Sequence, residues 1–236
     1  MPSLVSSTNY LLQSLPAAEF EALRPHLELV DLVRETVLVE AGAPLTHVYL
    51  PHSGVISLVV SLSDGQTVEV AMVGHDGVFG AAAALDGRIS LTDAVVLLQG
   101  TASILDVAQV RAAADRSAAF RTTLFRHELA LFAQAQQSAA CNASHSVEAR
   151  LSRWLLRACE LSDSENLPLT QEFLAQMIGV QRNAVSIVAH ALQQAGILRY
   201  SRGHIEITDL EGLRAAACEC SGAVRAQYDR LLKRSD

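Results

Sequence analysis

Residues 169–207 read LTQEFLAQMIGVQRNAVSIVAHALQQAGILRYSRGHIEI, and this stretch decides the fold of the carboxyl-terminal third. It reads as two helices joined by a sharp turn. Thr170 caps the first helix, and Leu174, Ala175 and Ile178 face inward. Gly179 supplies the turn, where a residue without a side chain takes positive φ at no steric cost. Val180, Val185, Val188 and Leu192 form the buried stripe of the second helix. Counted from Gln171, a small residue stands fifth, glycine ninth, and β-branched residues tenth and fifteenth, which is the spacing of a helix-turn-helix. The fifth position must be small because the helices cross there. Gly196 ends the second helix, and 196–207 reads as a β-hairpin turning at Arg202-Gly203, so the motif carries a wing.

The exposed face of the second helix offers Gln181, Arg182, Asn183 and Ser186 near its amino end. Arginine pairs with guanine through two hydrogen bonds, and asparagine or glutamine pairs with adenine, so these residue types suit base edges in the major groove. Thr170 and Gln171, beside a helix amino terminus, suit a phosphate, and Arg202 at the wing tip suits another. The net charge of −7 hides this segment. Residues 1–141 hold 7 Arg and no Lys against 14 acids, whereas 142–236 are balanced. Between Phe173 and Ile205 there is no acid, while Arg182, Arg199 and Arg202 are present.

Upstream, residues 29–106 contain short β-branched runs at 36–39, 47–50, 55–60, 67–70 and 94–98, and eight of the 13 glycines fall between Gly42 and Gly100. Asp64-Gly65 marks a hairpin. This pattern predicts an antiparallel β-roll or jelly roll, preceded by short helices over 10–27. Residues 107–114 read as a short helix. Ser117 to Ala140 has no Gly or Pro and makes a helix of about six turns. It carries two stripes: Phe120, Leu124, Leu131 and Ser138, and then Phe125, Leu129 and Phe132. A helix apolar on two faces must be covered twice; the covers expected are the β domain and the same helix of a second subunit, the alternative being a helix buried in a single-chain core. Dimerisation is assigned to Phe120, Leu124 and Leu131. Ser144 or Ser146 caps a new helix over 147–161. The expected class is α+β: a β-roll over 1–115, a dimerisation helix over 116–141 and a winged-helix DNA-binding domain over 142–236.

Half of the 236 residues are hydrophobic and 18% are charged, which supports sizeable cores. No apolar run reaches the roughly 18 residues of a membrane span, and 1–10 lacks the features of a secretory signal, so the chain is read as cytoplasmic, with no membrane partner. No Ser/His/Asp arrangement, P-loop or zinc motif is visible, and no enzymatic activity is expected. Cys141, Cys159, Cys218 and Cys220 match no usual zinc spacing. Cys218-Glu219-Cys220 suits a soft metal or a redox sensor but lacks two partner ligands, so no metal is assigned.

The order of parts, β-roll, long helix and winged helix, resembles the Crp/Fnr family of bacterial transcription regulators. The strongest part is 169–207, including Leu169 to Ala175 and Arg182-Asn183-Ala184-Val185-Ser186. The resemblance implies a homodimer joined along the long helix, two recognition helices on a palindromic duplex site, and RNA polymerase as a further partner of an activator. Two departures stand out. Cyclic-AMP-binding members hold the ligand with Phe-Gly-Glu and a later Arg-Ser or Arg-Thr pair; here the segments are Phe79-Gly80-Ala81-Ala82 and Thr92-Asp93. An aspartate there repels a phosphate, and Arg88 replaces the missing cation only after a loop shift, so cyclic AMP is not expected and the effector is unknown. The eight histidines leave haem open, none at a telling position, and residues 1–140 lack the cysteines of an amino-terminal iron–sulfur sensor. Members reading the commonest half-site carry Arg-Glu and a second Arg four residues beyond the Glu; here Arg182-Asn183 is followed by Ile187, so the DNA target differs. The competing reading is an allosteric ligand-binding module whose output is protein contact.

Overall fold

Strands form where β-branched residues recur, and the computed structural model, which describes residues 9–85 and 89–232, pairs them into two antiparallel ladders and a wing. Two short helices, α1 (Tyr10–Ser14) and α2 (Ala17–Leu23), and a 3-10 turn lead in. Asn9 caps α1, its Oδ1 accepting from the N–H of Leu11 at 3.1 Å, while its Nδ2 donates to the carbonyls of Pro51 and Gly77, both at 2.9 Å. Next come β1 (Glu28–Leu32), β2 (Val37–Val39), β3 (His47–Pro51), β4 (Val55–Ser61), β5 (Thr67–Val73), α3 (Ala81–Ala84), β6 (Asp93–Leu98), β7 (Gly100–Asp106) and α4 (Val107–Arg116). One sheet runs β1-β7-β3 and the other β2-β6-β4-β5. Five strands match the sequence runs. β1 and β7 do not stand out in sequence, because β7 reads Gly-Thr-Ala-Ser before its first apolar pair. It is a strand because both neighbours pair with it, Leu29 facing Ser103 on one side and Leu50 facing Ser103 on the other.

The second half holds α5 (Ala118–Ser144), α6 (Val147–Ser162), β8 (Asn166–Leu167), α7 (Gln171–Met177), α8 (Arg182–Gln194), β9 (Leu198–Ser201), β10 (His204–Ile207), α9 (Leu210–Ala216) and α10 (Cys220–Leu232). Ser146 caps α6, its hydroxyl accepting from Ala149 N–H at 3.3 Å. Among the described residues no helix is long and apolar enough to cross a membrane. The chain divides into two compact units, Met1–Ile56 with Val73–Leu129, and Ser57–Met72 with Ala130–Asp236.

The dimerisation assignment needs correcting. Phe120 and Leu124 are buried in the core of the first unit, packed with Leu11, Leu12, Val48, Leu50 and Val110. Their face of α5 is already covered by the chain's own α1, β3 and α4, so they are not available to a partner. Leu131 is half-buried. The exposed stripe is the other one: Phe125 is 54% exposed and Phe132 60%, with Leu129 between them. The i, i+4, i+7 spacing of Phe125, Leu129 and Phe132 places them on one side of the helix.

Candidate nucleic-acid interface

The second unit builds a helix-turn-helix from the residues upward. Thr170 caps α7, its Oγ1 accepting from Phe173 N–H at 3.1 Å. The helix ends at Ile178, and Gly179 takes φ +62°, reversing the chain. A Cβ on Gly179 would meet a methyl of Val68 at 3.1 Å, so the position is closed to larger residues by both backbone and neighbour. Val180 N–H then donates to the carbonyl of Ala175 at 2.9 Å, closing the turn. Leu174, Ala175, Met177 and Ile178 are buried, as are Val185, Ala189 and Leu192 of α8. Val180 and Val188, expected in the buried stripe, are half-buried.

This packing leaves the amino end of α8 outward. Gln181, Arg182 and Asn183 are all exposed, and Ile187 is 71% exposed. Gln181 occupies the cap position with extended backbone, and no side chain caps the helix. The first-turn N–H groups and the positive end of the helix dipole therefore face the same direction as the polar side chains, an arrangement suited to a phosphate oxygen.

Ser186 and Gln171 engage each other. The Ser186 hydroxyl donates to Gln171 Oε1 at 2.7 Å and also lies 3.1 Å from the carbonyl of Arg182. The pair buckles α7 to α8. Arg182 sits 3.6 Å from Glu172, both side chains more than 60% exposed. Sequence spacing places Glu172 just outside the acid-free segment, and only the crossing of the helices brings it opposite Arg182. An ion pair this exposed holds the guanidinium weakly, on the order of 1 kcal/mol or less, and so does not withhold it from DNA.

The wing is a three-stranded sheet ordered β8-β10-β9, with His204 facing Ser201 and Ile205 facing Tyr200. Its tip is a two-residue turn, Arg202 at φ +36° and Gly203 at φ +85°. Two successive left-handed residues match the right-handed twist of a hairpin. A non-glycine residue there carries a conformational cost of about 1 kcal/mol, and at this position it projects a cation from the wing tip into solvent. Arg199 is bound to Glu206 at 2.9 Å across the hairpin. Thr170, exposed, neighbours the wing, since a Cβ on Gly203 would lie 3.5 Å from its methyl.

A different feature lies in the first unit. Gly80, at φ +89°, turns the chain into the four-residue α3, and the N–H of Ala82 in its first turn donates to Glu128 Oε1 at 2.9 Å. Burial raises the Glu128 carboxyl above its ordinary pKa, while the Ala82 N–H pulls it back. No sequence pattern announces this contact, because 46 residues separate the partners. The Thr92-Asp93 pair is described: Asp93 Oδ1 accepts from Ala41 N–H at 2.8 Å. Arg88 lies outside the described residues.

Comparison with known proteins agrees with this geometry. Residues 29–117 match the cyclic nucleotide-binding domain and residues 149–216 the Crp-like helix-turn-helix domain, together about two thirds of the chain. No curated protein sequence matches. The fold is similar to that of FixK2 from Bradyrhizobium japonicum, with 16% identity, TM-score 0.70, and coverage of 81% of this chain and 98% of that one. It is also similar to a crp/fnr-family putative transcriptional regulator from Eubacterium rectale, with 17% identity, TM-score 0.68, and coverage of 88% and 98%. A third similar structure is the c-di-GMP responsive global regulator CLP of Xanthomonas campestris, at 16% identity, TM-score 0.66 and 81% and 99% coverage. With a winged helix-turn-helix whose reading face is open to solvent, carried behind a cyclic-nucleotide-binding-type β domain, the chain belongs to the Crp/Fnr family of DNA-binding transcription regulators.

Proposed function

We propose that the protein binds a palindromic duplex site as a homodimer, each subunit laying the amino end of α8 in a major groove, and that it does so without a cyclic nucleotide. The observation that carries the reading is the outward placement of Gln181, Arg182 and Asn183 together with the uncapped first turn of α8. Arg182 is the candidate guanine reader, and Asn183 or Gln181 the candidate adenine reader. Thr170 and Arg202 flank them as phosphate contacts. Gln171 and Ser186, bonded to each other, fix the angle between α7 and α8; Gln171 keeps its amide N–H groups for a phosphate or base acceptor, and Ser186 its lone pairs for a base N–H. Ile187 offers an apolar surface suited to a thymine methyl group. Two-fold symmetry is supported by the uncovered stripe Phe125, Leu129 and Phe132, since two half-sites one DNA turn apart need two heads on one axis.

A cyclic nucleotide does not fit the residues present. Its phosphate needs first-turn N–H groups of α3 and a cation. The Ala82 N–H is taken by the Glu128 carboxylate, which repels a phosphate when ionised. In sequence, Ala81 stands where the ribose-binding glutamate of cyclic-AMP-binding members stands, and Thr92-Asp93 where their Arg-Ser or Arg-Thr pair stands; the Arg111 guanidinium that lies at α3 is engaged by the carbonyl of Ala83.

The test is a mobility-shift assay with genomic fragments over a salt series. Binding should weaken steeply with salt, and Arg182→Ala should cost about 1–3 kcal/mol on the preferred fragment while leaving random-sequence binding nearly unchanged. Saturating cyclic AMP should leave the affinity unaltered. If no fragment is preferred over random DNA, or if Arg182→Ala weakens all fragments equally, the assignment of α8 as the reading helix fails. Tightening by cyclic AMP refutes the ligand-independent part.

A further inference from the structure

Two distant parts of the chain bring four ligand-type side chains together in the second unit. Cys141 lies in the last turn of α5 and His145 directly after its end, while Cys218 lies two residues before α10 and Cys220 at its first residue. The Sγ atoms of Cys141 and Cys218 are 3.5 Å apart, and Cys220 Sγ is 3.5 Å from His145 Nδ1. All four ligand atoms fall within 4.8 Å of one another. We propose that Cys141, His145, Cys218 and Cys220 form a Cys3His site for zinc that clamps the start of α10 to the end of α5.

The geometry is close to that of a tetrahedral site: the shortest edges must open slightly and the longest, within 4.8 Å, must close. With Zn–S near 2.3 Å, the sulfur–sulfur edge of a tetrahedron is about 3.8 Å, and a sulfur–nitrogen edge is slightly shorter. The observed 3.5 Å separations need adjustments of a few tenths of an ångström. A set of three thiolates and one imidazole is closed and thiophilic, the pattern of structural zinc, and carries no position for a substrate.

The surroundings are arranged as an outer shell. His145 turns Nδ1 toward the sulfurs and places Nε2 3.2 Å from the Glu219 carboxylate. A carboxylate on the second nitrogen fixes the tautomer that leaves the first nitrogen free to ligate. Gln137, one turn before Cys141, donates its amide N–H to Cys220 Sγ at 3.0 Å. Three thiolates around a divalent ion leave one net negative charge. The three sulfurs are buried. A Cys141–Cys218 disulfide would require the sulfurs to close to about 2.05 Å and would leave Cys220 and His145 without a task. The metal uses all four.

The clamp bears on the reading head. Arg150 of α6 donates from Nε to Asn142, beside Cys141, at 3.1 Å, and its guanidinium also donates to the carbonyl of Ile178 in the turn before α8. The end of α5, which carries Cys141 and leads directly into His145, is thus tied to the helix-turn-helix.

The proposal is tested on the full chain, purified with thiols kept reduced. Elemental analysis should find about one zinc per chain. After chelation, titration with Co2+ alone should produce the intense visible bands of tetrahedral cobalt with thiolate charge transfer in the near ultraviolet, saturating at one equivalent. Cys218→Ser with Cys220→Ser should abolish those bands, whereas Cys159→Ser, a thiol outside the cluster, should preserve them. Glu219→Gln should weaken metal affinity about 10–100-fold. His145→Cys, which retains four ligands, should keep binding and move the bands to longer wavelength, so that a folding defect in the double variant does not decide the matter. Weak octahedral cobalt spectra, an iron–sulfur chromophore in the purified protein, a resting Cys141–Cys218 disulfide, or bands that survive loss of Cys218 and Cys220 would each overturn it. These readouts use no DNA, so their failure leaves the DNA-binding reading standing.

Discussion

Phe132→Ala is the substitution that separates the two faces of α5 most cleanly. A phenylalanine presents about 200 Å², and Phe132 leaves 60% of its surface uncovered within its own chain. If a partner subunit covers that remainder, about 120 Å² of apolar area is removed from water, worth about 3 kcal/mol at 25 cal/mol per Å². Two-fold symmetry repeats the loss on the other subunit, so the substitution costs about 6 kcal/mol of dimer stability, a ceiling of about four orders of magnitude in the dissociation constant. Chain stability should fall by less, about 2 kcal/mol at most, because only the remaining 40% of the ring is covered within its own chain. Leu124→Ala is the counterpart. At 1% exposure it should cost about 2–5 kcal/mol of unfolding free energy by opening a cavity in the first unit. The assay is sedimentation over a concentration series for association, with denaturant unfolding for chain stability. A dimer that sediments unchanged when both Phe125 and Phe132 are alanine refutes the assignment of this stripe, and with it the symmetric docking on a palindrome.

Further outcomes follow from single contacts. Burial holds the Glu69 carboxyl at about 8, against the opposing pulls of the Ser57 hydrogen bond and of Arg153 and Arg157. The folded chain therefore keeps a proton that the unfolded chain releases near 4.5, and this contribution to stability should decline as pH rises from about 4.5 to about 8. Glu69→Gln should flatten that part of the profile, and melting curves that stay parallel to the parent across the window would refute it. His127 has the opposite sign: burial lowers it to about 4, against the raising effect of Asp76, so stability should fall as the medium is acidified below about 6.5. His127→Gln should remove that loss, read as thermal unfolding between pH 4 and 7. Gly179→Ala should destabilise the second unit by about 1 kcal/mol or more, since both its φ of +62° and the Val68 methyl oppose a Cβ; denaturant unfolding checks it.

The helix-turn-helix was legible because its rules are local. The cap at Thr170, the small Ala175, the reversal at Gly179 and the tip at Arg202-Gly203 all act within a few residues of one another, and each occurs where the spacing put it. The same holds for the start of α6 at Ser146 and for the strands at 47–51 and 55–61. Periodicity also showed that α5 has two apolar faces, yet it could not say which one the chain keeps for itself. That depends on where α1, β3 and α4 come to rest, and they cover Phe120 and Leu124.

The primary structure by itself determined the kind of protein: a β domain, a long helix and a reading head with its polar residues at the amino end of α8. What only the tertiary structure decided is which groups meet across long stretches of chain. Glu128 reaches Ala82 over 46 residues, and Cys141 reaches Cys218 over 77. Side-chain chemistry is carried by each residue alone, but a site requires proximity. Proximity between distant residues comes from the packing of elements whose individual patterns say nothing about their partners.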